Sequence, residues 1–146
     1  TEDWREMLEV NVLALTVACR EALGCFDGER GGHIVNVSSM AGHRIPPRGG
    51  FYAATKFAVR AITECLRQEL RALGSPSRVS EISPGFVTTE FHEVFYRGDA
   101  EQVAAGLPDY RVLDPRDVAA SVIHILEAPD HVAIHDVLIR SNEQES

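Results

Sequence analysis

Apolar residues recur along this chain with two distinct periods. Near its beginning Trp4, Met7, Leu8, Val12, Leu15 and Val17 or Ala18 follow one another at helical spacing, which places them on one face of a helix covering about 4–23. Thr1, Glu2, Asp3 and Glu6 supply its cap and first-turn acids, and Gly24 stops it ahead of a glycine-rich turn, 27–32. The run 33–38 is apolar on both faces and predicts a buried parallel strand. From residue 51 or 52 to about 73 the helical period returns, with Phe57, Ala58, Ala61, Ile62, Cys65, Leu66 and Leu70 as its stripe. Gly74, Ser75 and Pro76 end that helix. Alternation over 78–83 predicts a second strand that runs into Pro84 and Gly85. Residues 86–113 are aromatic-rich and weakly periodic, as expected of a substrate lid or pocket wall. Asp114 and Pro115 cap a helix over 117–127, 135–140 forms a last strand, and 141–146 is a polar tail expected to be mobile.

Strand-like runs separated by helices, with candidate ligand motifs at strand ends, predict a parallel α/β sheet in a single domain, 1–146. Composition fits that picture, with 45% apolar and 25% charged residues in 146. A net charge of −8 argues against a nucleic-acid or anionic-membrane surface. The cysteines Cys19, Cys25 and Cys65 show no pairing pattern, and two of them fall in helical patterns. Reduced, core-filling thiols are therefore expected. The longest apolar run, 12–19, is too short to span a bilayer, and no stretch reads as a signal peptide, so a cytoplasmic location is expected. His131 and His135 stand beside Asp130 and Asp136, but Pro129 breaks the helix that would align them, and no metal site is expected.

The chemistry gathers between the first strand and the second long helix. Ser39 emerges at the carboxyl end of the strand, and a Gly- and Pro-containing loop (Gly42, Pro46, Pro47, Gly49, Gly50) leads to Tyr52 and Lys56. Positions 52 and 56 are one helical turn apart and share a face. An ammonium beside a phenol favours the phenolate and lowers its pKa, which suits the phenol to acid–base work. Taken alone, a Tyr and a Lys at this spacing make an ordinary surface pair, Ser39 a loop hydroxyl capping backbone, and Asn11 a solvent-facing polar residue. Pro84-Gly85 by itself is an ordinary turn. Placed together, a strand-end hydroxyl facing a helix start lies in the crevice where open α/β sheets bind ligands.

Four motifs in order carry a resemblance. They are Val35-Asn36-Val37-Ser38-Ser39 with Ala41-Gly42, Tyr52-Ala53-Ala54-Thr55-Lys56, Asn11 within Asn11-Val12-Leu13, and Pro84-Gly85 followed by Thr89. In these the chain resembles the short-chain dehydrogenase/reductases almost end to end. Residues 40–44 and 140–144 look closest to a branch whose members reduce ketosteroids and related carbonyl compounds. The resemblance implies the C-terminal half of a Rossmann-type doubly wound sheet, because the family's glycine-rich phosphate turn has no match here. It implies hydride transfer between NAD(P)H and a carbonyl or alcohol carbon, with Ser39, Tyr52, Lys56 and Asn11 as a proton relay. Tyr52, Lys56, Pro84, Gly85, Val87 and Thr89 would face the cofactor, with NADP(H) placed ahead of NAD(H), although the residues that choose between them precede this stretch in the family.

The same resemblance implies a homodimer or homotetramer through helices 4–23 and 52–73, both richer in apolar surface than one sheet contact requires; the alternative covers both faces within one subunit. Two other readings stand beside it. The chain could be a catalytically silent, truncated interaction module unable to bind the cofactor alone. A sugar-nucleotide epimerase also uses Tyr and Lys at this spacing, but the short ending after His135 speaks against that.

Overall fold

The computed structural model describes residues 1–47 and 49–145. Three strands, β1 (His33–Val37), β2 (Arg78–Pro84) and β3 (Asp136–Ile139), pair in parallel in the order β1-β2-β3. A helix joins each pair, α3 (Gly50–Ala72) between β1 and β2 and α6 (Pro115–Leu126) between β2 and β3. Parallel neighbours need such crossovers, and this is the expected α/β arrangement. A capping box opens α6, with Asp114 and Asp117 answering each other's backbone and Pro115 in the first turn.

Side chains alternate across a strand, so Ile34 and Asn36 of β1 share a face with Val79 and Glu81, their register partners on β2. On that face Val79 packs with Cys19, Leu66 and Leu70, and Leu15, Leu23 and Ile34 close around them. Toward the strand ends the face becomes polar. Asn36 is buried and fully engaged there, accepting from Cys19 Sγ at 3.4 Å and donating to Thr63 Oγ1 at 2.9 Å. It pins both long helices to the sheet at the level where the chemistry begins.

The structure changes several expectations. The first helix is three segments, α1 (Glu2–Leu8), a π-helical stretch Glu9–Ala14 and α2 (Leu15–Cys25). A π turn carries an extra residue and re-aims side chains, and such turns gather at functional sites; here it contains Asn11. The buried line of α3 is Ala53, Thr55, Val59, Thr63, Leu66 and Leu70, rotated from the stripe read off the sequence. Phe57, Ala61 and Cys65 are exposed instead, because Thr55 and Thr63 satisfy their hydroxyls on the helix itself and take core positions. Only Cys19 is a core thiol; Cys25 and Cys65 are exposed.

Two short helices, α4 (Phe91–Phe95) and α5 (Ala100–Gly106), occupy the weakly periodic stretch. The tail is anchored where mobility was expected, since Gln144 accepts from the Phe86 N–H at 3.0 Å and donates to Met40 Sδ at 3.2 Å. Along its other edge β1 has no partner strand among the described residues, and Val37 is 51% exposed. Trp4, Leu8, Val10 and Leu13 are exposed on the first helical segments. No helix among the described residues is long and apolar enough to cross a membrane.

Candidate active site

Ser39 leaves β1 in an extended conformation and caps a single 3-10 turn, Met40–Gly42, by accepting from the Ala41 N–H at 3.1 Å. That turn packs against α3, so the Ser39 hydroxyl meets the first turn of the helix and hydrogen-bonds Tyr52. Ser38 has the other orientation: it is buried, and its hydroxyl donates to the Lys56 carbonyl at 3.4 Å. One turn beyond Tyr52, Lys56 reaches back over β1 and donates to the Val37 carbonyl at 3.2 Å. Its ammonium lies 5.7 Å from the Tyr52 ring centroid. Serine, phenol and ammonium are therefore brought together at the carboxyl end of β1.

Asn11 approaches from the π-helical stretch and donates to Thr55 Oγ1 at 3.1 Å, while Thr55 donates to the Tyr52 carbonyl at 2.7 Å. The amide thus sits behind the Tyr52–Lys56 turn and holds it through Thr55. Above the phenol, Phe91 and Phe95 of α4 stand 5.4 and 5.7 Å from the Tyr52 ring centroid. Arg97, just past α4, is ion-paired to Asp3 and Glu6 of α1, and this fastens the aromatic lid across the helix start.

Burial under those rings pushes the Tyr52 phenol above its ordinary value, and the Ser39 hydrogen bond pulls it back only in part. The expectation that Lys56 brings the phenol down is not met in this arrangement, because the ammonium turns to the Val37 carbonyl. Burial lowers the Lys56 pKa in turn, and the charge of Glu81 counters that.

The turn after β2 is held from two sides. Pro84 pairs with Ile139, and the Gly85 N–H donates to the Ile139 carbonyl at 2.7 Å. A parallel bridge joins Val87 to Leu113, using the Phe86 carbonyl at 3.0 Å and the Thr88 N–H at 2.9 Å. Val87's own N–H and C=O consequently face the opposite side of the segment. Thr89 Oγ1 accepts from the Phe91 N–H at 3.3 Å, which starts the lid helix.

Sequence reading missed Thr55, Glu81 and Gln144. Glu81 had a visible signal, an acid in the middle of a run that reads as a strand. Thr55 and Gln144 had none, since a hydroxyl in a helix and an amide in a tail are ordinary until their partners are known. His43, Glu81 and Asp136 offer ligand atoms within 4.8 Å of one another. Arg60 lies 3.6 Å from Glu81 and 3.8 Å from Asp136 and already supplies the positive charge there.

A parallel α/β sheet with a serine, a tyrosine and a lysine gathered at a strand's carboxyl end belongs to the class of open α/β folds that bind ligands at that edge. The family model for the short chain dehydrogenases matches residues 1–99, and the chain belongs to that family. It is 47% identical over 148 residues to dehydrogenase/reductase SDR family member 11 of Bos taurus, covering 99% of this chain and 58% of that protein. It is 34% identical over 139 residues to a farnesol dehydrogenase of Aedes aegypti, covering 93% of this chain and 53% of that one. Among solved structures, the closed form of a serine dehydrogenase complexed with NADP+ superposes with a TM-score of 0.92 at 33% identity, covering 99% of this chain and 58% of that chain. The chain thus spans little more than half the length of the relatives it matches.

Proposed function

We propose that the protein bearing this chain is an oxidoreductase that moves a hydride between NAD(P)H and the carbonyl or alcohol carbon of a small hydrophobic substrate. The observation that carries the reading is the contact between Ser39 and Tyr52 with Lys56 one turn away. When bound, the nicotinamide supplies or takes the hydride.

The donor set fits such a cofactor. A carboxamide needs one acceptor and one donor, and the Val87 peptide with the Thr89 hydroxyl beside it provides both. At Gly85 the room a Cβ would need is taken by Gln144 Oε1 and Arg140 Cβ, so the turn is read as offering the ring its backbone at Pro84 and Gly85, and the Lys56 ammonium suits ribose hydroxyls. A Tyr52 phenol held neutral by burial is the form required to give a proton to a carbonyl oxygen. Because the Ala41 N–H donates to Ser39 Oγ, the serine proton is left to stabilise the developing oxyanion. Asn11 is read as extending the relay from Lys56 toward solvent through water.

NADP(H) is favoured over NAD(H), supported by the NADP+ bound in the similar serine dehydrogenase. The Phe91 and Phe95 rings over Tyr52 favour a bulky apolar substrate of ketosteroid or terpenoid type, in keeping with the farnesol relative. Exposed apolar residues on α1, the π-helical stretch and α3 favour a homodimer or homotetramer, and the protein is taken to act in the cytoplasm.

Tyr52→Phe in the full-length protein is the test: turnover should fall at least a thousandfold while NADPH binding, followed by fluorescence, is retained. A Phe variant keeping most of its rate would sink the assignment. A second reading, that these 146 residues by themselves are catalytically silent, is favoured by the edge of β1, which has no partner strand among the described residues. NADPH titration of the isolated chain decides it, since tight binding would exclude that reading.

A further inference from the structure

Gln144 ties together two turns that the sheet lets part. The ladder between β1 and β2 ends where the Ser38 N–H donates to the Ile82 carbonyl at 2.8 Å. Beyond that bond Ser39 and Met40 enter the 3-10 turn, while β2 runs on through Ser83 to Pro84. His43 Nε2 meets Ser83 Oγ at 2.8 Å, a contact that stops short of Gly85 and Phe86. The tail supplies the rest. Ser141 is buried after β3, and its carbonyl and hydroxyl accept from the Gln144 N–H at 3.1 Å and the Glu143 N–H at 3.3 Å. This turn sends the Gln144 side chain back across the strand ends. The Phe86 N–H can only donate, so the amide oxygen faces it, at 3.0 Å. That leaves the amide NH2 for Met40 Sδ at 3.2 Å, and Met40 is a buried residue of the Ser39 turn. Gly85 makes the room. Its φ lies outside the left-handed region, so space rather than backbone conformation calls for glycine: a Cβ would land on Gln144 Oε1 and lie 2.9 Å from Arg140 Cβ. Phe86 carries the restraint further. Its carbonyl accepts from the Leu113 N–H at 3.0 Å, and its ring stacks on His92 of the lid at 5.5 Å.

We infer that Gln144 is a positioning residue whose side-chain amide clasps the Gly85–Phe86 turn to the Ser39 turn and sets the gap between them. The inference rests on the reading that Pro84 and Gly85 face the nicotinamide and Ser39 the carbonyl oxygen, because that gap then sets how the two reactants meet. The bond to Phe86 is the strong half of the clasp, since a thioether sulfur is a weak acceptor.

The test compares the full-length protein with two variants. Gln144→Met keeps the length and the packing against Met40 and removes both hydrogen bonds. Gln144→Glu keeps an oxygen facing the Phe86 N–H. Amide hydrogen exchange, resolved by residue in NMR without cofactor, reads the clasp directly. In Gln144→Met the Phe86 amide should exchange about tenfold faster, the worth of one hydrogen bond. The His43 amide of the Ser39 turn, which donates to the Met40 carbonyl at 2.9 Å, should quicken with it. In the same variant NADPH affinity and kcat should each fall about three- to tenfold, with the KM for the carbonyl substrate little changed. Gln144→Glu should keep Phe86 protected and recover most of both. Unchanged exchange at Phe86 in the Met variant, or quickening at Phe86 without His43, would overturn the inference. So would a fall in Tm with kcat and NADPH affinity unmoved, or a Glu variant no better than Met. A wild-type protein that bound no NADPH would instead sink the oxidoreductase reading, and the clasp would be judged on exchange at Phe86 and His43. Should Gln144→Met not fold, Gly85→Ala drives the amide out from the other side and is judged by the same exchange.

Discussion

Asn11 and Thr55 are joined by a 3.1 Å hydrogen bond from the π-helical stretch to α3, and Thr55 passes it on to the Tyr52 carbonyl at 2.7 Å. The helix distortion, the threonine and Tyr52 thus form one mechanical unit. Asn11→Ala removes a part-buried side-chain hydrogen bond and should cost about 1 kcal/mol in urea denaturation. It should also slow turnover, because the Tyr52–Lys56 turn loses its outside support. Thr55→Ser keeps both the donor and the acceptor and should preserve most of the rate. Equal losses in the two variants would show that packing, not this bond, sets the turn.

Gly42 is where the Ser39 turn comes closest to α3. A methyl there would meet the Lys56 carbonyl and Ser38 Oγ at 2.9 Å and Arg60 Cδ at 3.2 Å. The carbonyl belongs to a helix and has no room to retreat, so the turn itself must move. Gly42→Ala should destabilise by about 1–3 kcal/mol, as overpacked sites do. The larger effect should be on turnover, because Ser39 is displaced from Tyr52, while NADPH affinity changes little. Thermal denaturation and steady-state kinetics check both halves.

His92 sets part of the acid response. It is buried in the lid, its ring is stacked on Phe86 at 5.5 Å, and burial lowers its pKa from 6.5. Because the unfolded chain takes up the proton first, stability is full above about pH 6.5 and is lost as pH falls through that value toward the lowered folded pKa. His33 and His43 are lowered as well and add to the same limb. His92→Phe keeps the stacking and removes one titrating group. Urea denaturation at pH 7.5, 6.5 and 5.5 should show a smaller acid loss than in the wild type, with His33 and His43 accounting for the remainder. An unchanged acid limb would remove His92 from this account.

Phe57 is 40% exposed on α3, on the side away from the buried line of that helix. If α3 meets its copy in another subunit, Phe57→Asp places charge in an apolar contact and should shift the protein toward monomer in sedimentation velocity. The isolated subunit should keep its helical signal, since the position takes no part in the core. Sedimentation unchanged from the wild type would assign the exposed face another role.

The elements were legible from periodicity alone where apolar runs and cap residues left little choice. The runs 33–38 and 78–83 are strands in register, and Asp114-Pro115 starts a helix as their chemistry requires. Ser39, Tyr52 and Lys56 were legible because a strand end and one helical turn fix where such residues point. The buried line of α3 was not. Apolarity alone selected Phe57 and Cys65, while the fold buried Thr55 and Thr63, whose hydroxyls find acceptors one turn back on the helix.

What the sequence by itself determined is the order of strands and helices and the placing together of Ser39, Tyr52 and Lys56, because these follow from local spacing. Only the tertiary structure decided what surrounds those groups. Glu81 enters through its register with Asn36 across β1 and β2, and Gln144 returns from the tail to the Phe86 N–H. The pKa of Tyr52 moves upward because α4 folds over it, a burial that no nearest-neighbour spacing encodes. Desolvation and long-range charge depend on which distant elements meet, and that is a property of the packed molecule.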